Sequence, residues 1–299
     1  QDELHLISGP LGSMVGLFEG LIEELCTDRR GASVVKPKII SSTATIRRYK
    51  EQIKALYARS EACLFPPPGL HAGDSFFSKY ATNPDGTNAQ GRVFVGVHAP
   101  GLGSMQTVQV RTATALLQSP MNFKEDERDP WWTLVMFFNS LRELGGALTL
   151  FQSDILDYQQ VYIDRQRNEK RIWRPFHEIV ELTGRANSED IPKSISNLEK
   201  SYSPQSEQKP IDVCLASNIL EVGIDIERLS LMAVVGQPKT TAQYIQVTGR
   251  VGRKWYERPG LIVTMYSNSK PRDRSHFEKF ISYHQKLYAQ VEPTSVTPF

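Results

Sequence analysis

Six short runs of nearly unbroken apolar residues recur through the last two-thirds of the chain: VFVGV at 93–97, TLVMFF at 133–138, IVEL at 179–182, IDVCLA at 211–216, LMAVV at 231–235 and LIVTMY at 261–266. Each is too short for a helix and lacks the polar alternation of a half-solvated strand, so each predicts a strand covered on both faces. Helical segments separate most of them. Ser140 to Ser153 is one, the cap-like Ser188 with Glu189 and Asp190 leading to Leu198 is a second, and Thr241 to Val251 is a third. Strands and helices in alternation predict an α/β domain over residues 91–299, a parallel sheet with helices on both faces.

The first 60 residues read differently. Leu11, Met14, Val15, Phe18, Leu21, Ile22 and Leu25 recur at steps of three and four behind Pro10, which suits a first helical turn. KIISST at 38–43 reads as a short buried strand, and a charged helical stretch follows from Ile46 to about Ser60. One strand and an apolar helix stripe lack the partners to cover them, so a preceding part of the same domain is expected. From Leu64 to Gln90, FPPPGLHAGD and NPDGTNAQG break any period with Pro, Gly, Asn and Asp. The expected organisation is therefore an incomplete first unit over 1–62, a connection over 63–90 and a complete α/β unit over 91–299. A chain of 299 residues has room for two such units.

Charge narrows the function only a little. A formal net charge of +2 announces neither a nucleic-acid nor a membrane partner, so any binding surface must be local. Cys26, Cys63 and Cys214 lie far apart, without zinc-like pairing, and read as reduced core thiols of a cytoplasmic protein. No stretch approaches the roughly 18 apolar residues that a membrane span needs.

The chemistry concentrates in QVTGRVGR at 246–253. On a helix, Gln246, Arg250 and Arg253 at relative positions 0, 4 and 7 would share one face, and two guanidinium forks there suit the spread charge of a phosphoryl group in transit. Two glycines inside a helical turn cost roughly 1 kcal/mol each relative to Ala, which suggests that something approaches the backbone closely. The bland reading is a solvated basic face. Upstream, ASNILEVGIDI at 216–226 carries Ser217 and Asn218 at a strand end and then Gly223 and Asp225, an arrangement that offers backbone N–H groups to a phosphate. The basic run from Arg165 to Arg171, with Tyr158, Tyr162 and Trp173 around it, suits stacked bases and phosphates, although such a run is more often a solvated helix face.

ASNILEVGIDI resembles helicase motif V and QVTGRVGR resembles motif VI, in the right order and about 20 residues apart. QDELH at 1–5 resembles the DExH form of motif II. Thr43, Ala44 and Thr45 resemble the Ser-Ala-Thr motif III, and Phe138, Asn139 and Ser140 sit where motif IV lies. The chain thus resembles superfamily-2 DExH helicases, with a RecA-like second lobe preceded by an incomplete first lobe. DELHLISGPLGSMVGLFEGL, FPPPGLHAGDSFF and YHQKLYAQVEPTSVTPF resemble the helicase component of DISARM-type phage-defence systems, and the first of these also resembles MrfA-type repair helicases.

The resemblance implies ATP and Mg2+ as cofactors, with Asp2 holding the metal and Glu3 orienting the attacking water. It implies Arg253 as arginine finger with Arg250 and Gln246 beside it, and Gly223 and Asp225 near the nucleotide. Asn139, Ser140 and Ser217 would meet nucleic acid, which the defence and repair resemblance makes DNA, and Thr43 and Thr45 would couple the two sites. Further defence proteins are implied as partners. No GxxxxGK[ST] occurs in the chain, so by itself it is expected to hydrolyse ATP poorly or not at all. The rival expectation is a non-catalytic nucleic-acid-binding scaffold with a degenerate helicase lobe.

Overall fold

The computed structural model of the chain describes residues 1–4, 7, 9–43, 49–67, 76–77, 79–165, 173–185, 189–204, 210–217 and 225–287. Two compact units divide it: residues 82–239 with 243–285, and residues 1–81 with 240–242 and the C-terminal end from 286.

Among the described residues, the larger unit is built on six strands, β1 (Arg92–His98), β2 (Leu134–Phe138), β3 (Ile179–Leu182), β4 (Val213–Ala216), β5 (Leu231–Val235) and β6 (Gly260–Tyr266). Their order is β1-β6-β5-β2-β4-β3, and every pairing is parallel. Each apolar run of the sequence is one of these strands, within two residues at either end. β2, β4 and β5 are buried at every position, which is why they carry no alternation.

On one face α3 (Met105–Gln118), α5 (Leu141–Gln152) and α6 (Asp154–Arg165) press Ala113, Leu117, Leu144, Ala147, Phe151 and Ile155 onto Leu134, Met136, Phe138, Leu215 and Ala233. On the other, the Tyr244 hydroxyl of α8 (Thr241–Thr248) lies 3.0 Å from Thr264 Oγ1, next along β6 from the opposite-facing Met265. Over β2, β4, β5 and β6 the sheet is thus covered on both faces, as their apolar runs require; the edge strands depart from the expectation, since β1 leaves Val93 and Val95 exposed and β3 is only partly buried. Ser104 and Ser140 cap α3 and α5 by accepting from the backbone N–H groups of Thr107 and Glu143. Short helices α4 (Asp129–Trp132), α7 (Asp190–Glu199), α9 (Pro271–Glu278) and α10 (Phe280–Gln285) complete the unit. A further sequence expectation needs correction here: α8 stops at Thr248, three residues short, because Gly249 and a positive φ at Gly252 end it. The cap-like Ser188 lies outside the described residues.

A buried ion pair ties the amino-terminal edge of the sheet together. Arg174, with 1% of its side chain exposed, donates to Asp212 Oδ1 at 2.8 Å, to the Trp132 carbonyl at 2.7 Å and to the Leu117 carbonyl at 2.9 Å. Its guanidinium also lies 3.9 Å from the centre of the Trp132 ring. Asp212 Oδ2 accepts from the backbone N–H groups of His177 and Glu178. Burial lowers the Arg174 pKa from its ordinary value, and the charge of Asp212 opposes that shift.

In the smaller unit, α1 (Gly9–Cys26) and α2 (Tyr49–Tyr57) meet a small core of Leu4, Ile7, Leu56 and Tyr57, with Val15, Ile39 and Ile53 against it. The side chains of Leu11, Met14, Phe18, Leu21, Ile22 and Leu25 are exposed along α1. Residues 38–43 are not a strand. Ser42 N–H donates to the Gln1 carbonyl and Leu4 N–H to the Ser42 carbonyl, as in the start of a parallel ladder. Glu3, between these two bonds and at φ 53°, turns its own N–H to Asp2 Oδ1, so among the described residues no regular ladder forms.

Of the three cysteines only Cys214 is in the core; Cys26 and Cys63 are exposed, against the sequence expectation, because Cys26 is the last residue of α1 and Cys63 lies outside any helix or strand. Burial pushes the Cys214 thiol up to about 12. A thiol reagent at pH 8 is therefore expected to modify Cys26 and Cys63 in the folded protein and Cys214 only after denaturation; equal rates at all three would contradict the packing of β4. Asp212→Ala, which strands the Arg174 charge, is expected to cost about 3–5 kcal/mol in urea unfolding, with only part of it recovered when Arg174→Met is added, because the His177 and Glu178 N–H groups stay unpaired.

Candidate functional site

The segment that follows α8 is a tightly held turn. Gly249 N–H donates to the Ile245 carbonyl at 2.8 Å and Arg250 N–H to the Val247 carbonyl at 3.1 Å, and the chain then leaves the helix. Gly252 adopts φ 64°, and its N–H reaches the Leu229 carbonyl at 2.8 Å, just ahead of β5. A Cβ at Gly252 would stand 2.5 Å from the Cα of Gly260, the first residue of β6. The close approach expected from the two glycines is real, and what approaches Gly252 is the protein's own backbone. Gly249 has its own reason, since a Cβ there would meet the Ile245 carbonyl at 3.0 Å.

Arg92, at the start of β1, closes the turn from outside. Its Nε donates to the Val251 carbonyl at 2.8 Å and its Nη2 to the Gly249 carbonyl at 3.0 Å. Sequence reasoning missed this residue, because an arginine opening a strand has no local signature. With Val247 and Val251 buried beneath, the turn leaves Arg250 and Arg253 partly exposed. Gln246 is helical while Arg250 and Arg253 are not, so the shared helix face expected from the spacing does not form. Arg253 instead pairs with Asp225, Nη1 to Oδ2 at 2.6 Å, with 35% and 53% of the two side chains exposed. Lys254 bridges Glu227 and Glu257 beyond it. Arg258 donates to Ser230 Oγ and the Arg228 carbonyl, which fixes the far end.

All these groups sit at the amino-terminal edge of the sheet. The residues matched to motif IV sit at the opposite edge, about 17 Å away for a five-residue strand. Asn139 follows β2 and donates through Nδ2 to the Val235 and Gly236 carbonyls at 3.0 and 3.1 Å, so its amide ties the ends of β2 and β5. Ser140 is exposed and caps α5. Ser217 ends β4 with 5% of its surface exposed and its N–H on the Leu182 carbonyl. Asp273, fully buried in α9, was not foreseen either; it accepts from Gln237 N–H at 3.2 Å and Ser267 N–H at 2.8 Å and so fixes the ends of β5 and β6. Among the described residues, a cleft of about 430 Å3 opens at this edge between α3 and α5, lined by Gln106, Gln109, Ser140, Arg142, Glu143 and Lys270 among others.

In the smaller unit, Asp2 Oδ1 accepts from Glu3 N–H at 2.8 Å and from Ser42 Oγ, so the acidic pair is held beside the residue preceding Thr43. The buried amide of Gln52 donates to the Leu4 and Ile7 carbonyls at 2.7 and 2.6 Å, clamping the DELH segment from below. Thr45 and Gly223 lie outside the described residues, as do Asn218 and residues 166–171 of the basic run. Of the aromatics around that run, Tyr158 packs on the core with Arg111 5.7 Å above its ring, and Trp173 is exposed. Among the described residues there is no cluster of three or more His, Cys, Asp or Glu side chains that would enclose a metal. No described helix is long and apolar enough to cross a membrane.

Residues 138–254 match the family model of the Helicase conserved C-terminal domain. The whole chain is 43% identical to the DISARM protein DrmA of Bacillus paralicheniformis, of which it spans 26%. Over 80 residues it is 31% identical to the ATP-dependent helicase Lhr-Core of Methanocaldococcus jannaschii, covering 25% of this chain and 10% of that one. Among solved structures it superposes on the DUF1998 helicase MrfA bound to DNA and AMPPNP with a TM-score of 0.60 at 19% identity, over 99% of this chain and 34% of that one. On the Mycobacterium smegmatis helicase Lhr bound to ssDNA and AMP-PNP the TM-score is 0.60 at 16% identity, over 99% of this chain and 31% of that one. The chain thus spans about a quarter of its curated DISARM relative and about a third of these two solved structures.

The Gly252 and Gly260 approach makes a sharp stability test. Gly252→Ala is expected to cost about 2 kcal/mol or more, from the left-handed backbone and the clash together. Gly86→Ala, at φ 82° with nothing within 4 Å of its Cβ, carries the backbone cost alone. Equal losses in urea unfolding would mean that the two backbones do not meet.

Proposed function

Because the chain carries a superfamily-2-type helicase C-terminal domain related to those of DrmA, MrfA and Lhr, we propose that it is the second lobe and the adjoining part of the first lobe of an ATP-driven DNA motor. The observation that carries this reading is the turn at 249–253, clamped by Arg92 and by the Gly260 backbone so that Arg250 and Arg253 are held at one sheet edge. Fixed guanidinium groups cost no reorganisation when negative charge builds up on a phosphoryl group. Arg253 exchanges Asp225 for the nucleotide, and Asp225 remains beside it to accept a hydroxyl. Arg250 and Gln246 complete the cationic and polar side of the site.

Glu3 orients the attacking water, and Asp2 is the ligand for Mg2+. The fit is supported by the Asp2 carboxylate, exposed and oriented by Ser42, since Mg2+ takes one or two carboxylates and fills its remaining positions with phosphate and water. When bound, the ion neutralises phosphate charge. Asn139, Ser140 and Ser217, with Thr43 and Thr45 as the coupling segment, belong to the nucleic-acid side. There, contacts to the backbone give little sequence preference and a strong salt dependence. The 43% identity to a DISARM protein supports a role in phage defence beside other proteins of such a system; the three unpaired cysteines suit a cytoplasmic location.

The 299 residues contain no phosphate-cradling GxxxxGK[ST], so turnover is assigned to a longer protein that supplies one. In that longer protein, ATP hydrolysis is expected to be stimulated by single-stranded DNA and to fall by about 10³-fold in Arg253→Ala. A folded protein that binds nucleotide without turnover would be the scaffold instead.

A further inference from the structure

Just past Arg253, the chain makes a turn over residues 254–258 that carries Trp255 and Tyr256 at its tip, with 43% and 67% of their surfaces exposed. Their ring centres lie 5.9 Å apart and the rings stand at 84°, so the pair forms an open corner whose faces solvent can reach. Single apolar side chains on a surface are ordinary, but two large aromatic rings side by side mark a contact surface.

The tip is built to hold still. The Glu257 and Arg258 N–H groups both donate to the Lys254 carbonyl, at 3.0 and 3.1 Å. Lys254 is held by Glu227 and Glu257, and Arg258 by Ser230 Oγ and the Arg228 carbonyl. Rings on a turn closed in this way lose little freedom when a flat ligand stacks on them.

Position narrows the ligand. Arg253 pairs with Asp225 and the next residue, Lys254, with Glu227, so the start of the turn runs beside the 225–227 segment. The backbone reach from Arg253 to Trp255 is at most about 7 Å. In a nucleotide the ribose separates the base from the phosphates, so a ligand with its phosphates on Arg253 and a ribose hydroxyl on Asp225 carries its base beyond both. Asn139 and Ser140, assigned to nucleic acid, lie at the opposite edge of the sheet, which sets this tip apart from the strand.

We propose that Trp255 and Tyr256 receive the base of the bound nucleotide, one ring stacking on its face and the other closing a side at a right angle. The proposal rests on the reading of Arg253 and Asp225 as nucleotide contacts and adds to them a platform for the base. Stacking accepts every base, because each has an aromatic face.

Calorimetric titration of the longer protein with ADP and with inorganic pyrophosphate separates the base from the phosphates. Trp255→Ala and Tyr256→Ala are each expected to weaken ADP about tenfold and to leave pyrophosphate unchanged. Trp255→Phe, which keeps a ring, is expected to retain most of the ADP affinity. Unchanged ADP binding in both alanine variants, or a loss shared equally by ADP and pyrophosphate, would overturn the base platform while the Arg253 reading stands. An unaltered protein that binds neither ligand would remove that reading as well.

Discussion

Where Gly252 meets Gly260, two stretches of backbone touch with no side chain between them, and the arrangement of the larger unit's basic edge follows from that contact. Gly260 opens β6, whose ladders run to β1 on one side and β5 on the other. The turn that follows α8 is therefore referenced to the sheet itself. Arg92 adds two hydrogen bonds from the next strand over, and Leu229 a third from the approach to β5. A turn held from three strands has little freedom, so the two arginines it carries start from nearly fixed anchor points. Rigid anchoring is what a site needs if its charges are to act without being reordered.

The sheet separates the tasks by edge. Its amino-terminal edge holds the 249–253 turn near β1, β5 and β6, and the Arg174 and Asp212 pair near β2, β3 and β4. Although both use arginine, their environments differ completely. Arg174 is enclosed, meets four partner groups and contributes to order within the unit, whereas Arg253 is one-third exposed with one carboxylate partner. At the carboxyl-terminal edge, the Asn139 amide N–H groups and the Asp273 carboxylate are spent on strand ends, and a cleft opens beside them between α3 and α5.

Much of this was legible in the sequence, for a physical reason. A strand buried on both faces must be apolar throughout, so the central strands could be located from their composition, and the edge strands β1 and β3 are apolar enough to be found with them although they are only partly buried. The helix start at Ser140 was legible too, although its capping bond to Glu143 N–H was seen only in the structure. The spacing of Gln246, Arg250 and Arg253 misled, because a helical period was assumed across two glycines whose purpose is to end the helix and admit Gly260. Arg92, Gln52 and Asp273 were invisible for a different reason: each acts across 36 to 159 residues of chain, and no local pattern encodes such a contact. KIISST was misread because its composition suits a strand, while the positive φ of Glu3, which breaks the ladder, belongs to the neighbouring segment.

The weakness of the Arg253 and Asp225 pair has its own consequence on the proposed role. Ion pairs at this level of exposure contribute roughly 0–1 kcal/mol, since water screens them and two flexible side chains must be ordered. A stronger pair, enclosed like Arg174 and Asp212, would hold the guanidinium against any incoming phosphate. A missing partner would leave it free to sample many rotamers, and binding would then have to order it. A half-exposed carboxylate at 2.6 Å lies between these limits: it keeps the guanidinium near the position set by the turn and gives it up for a multiply charged anion at little cost. The exposure of Asp225 is therefore as much a part of the site as the burial of Val247 and Val251 beneath it.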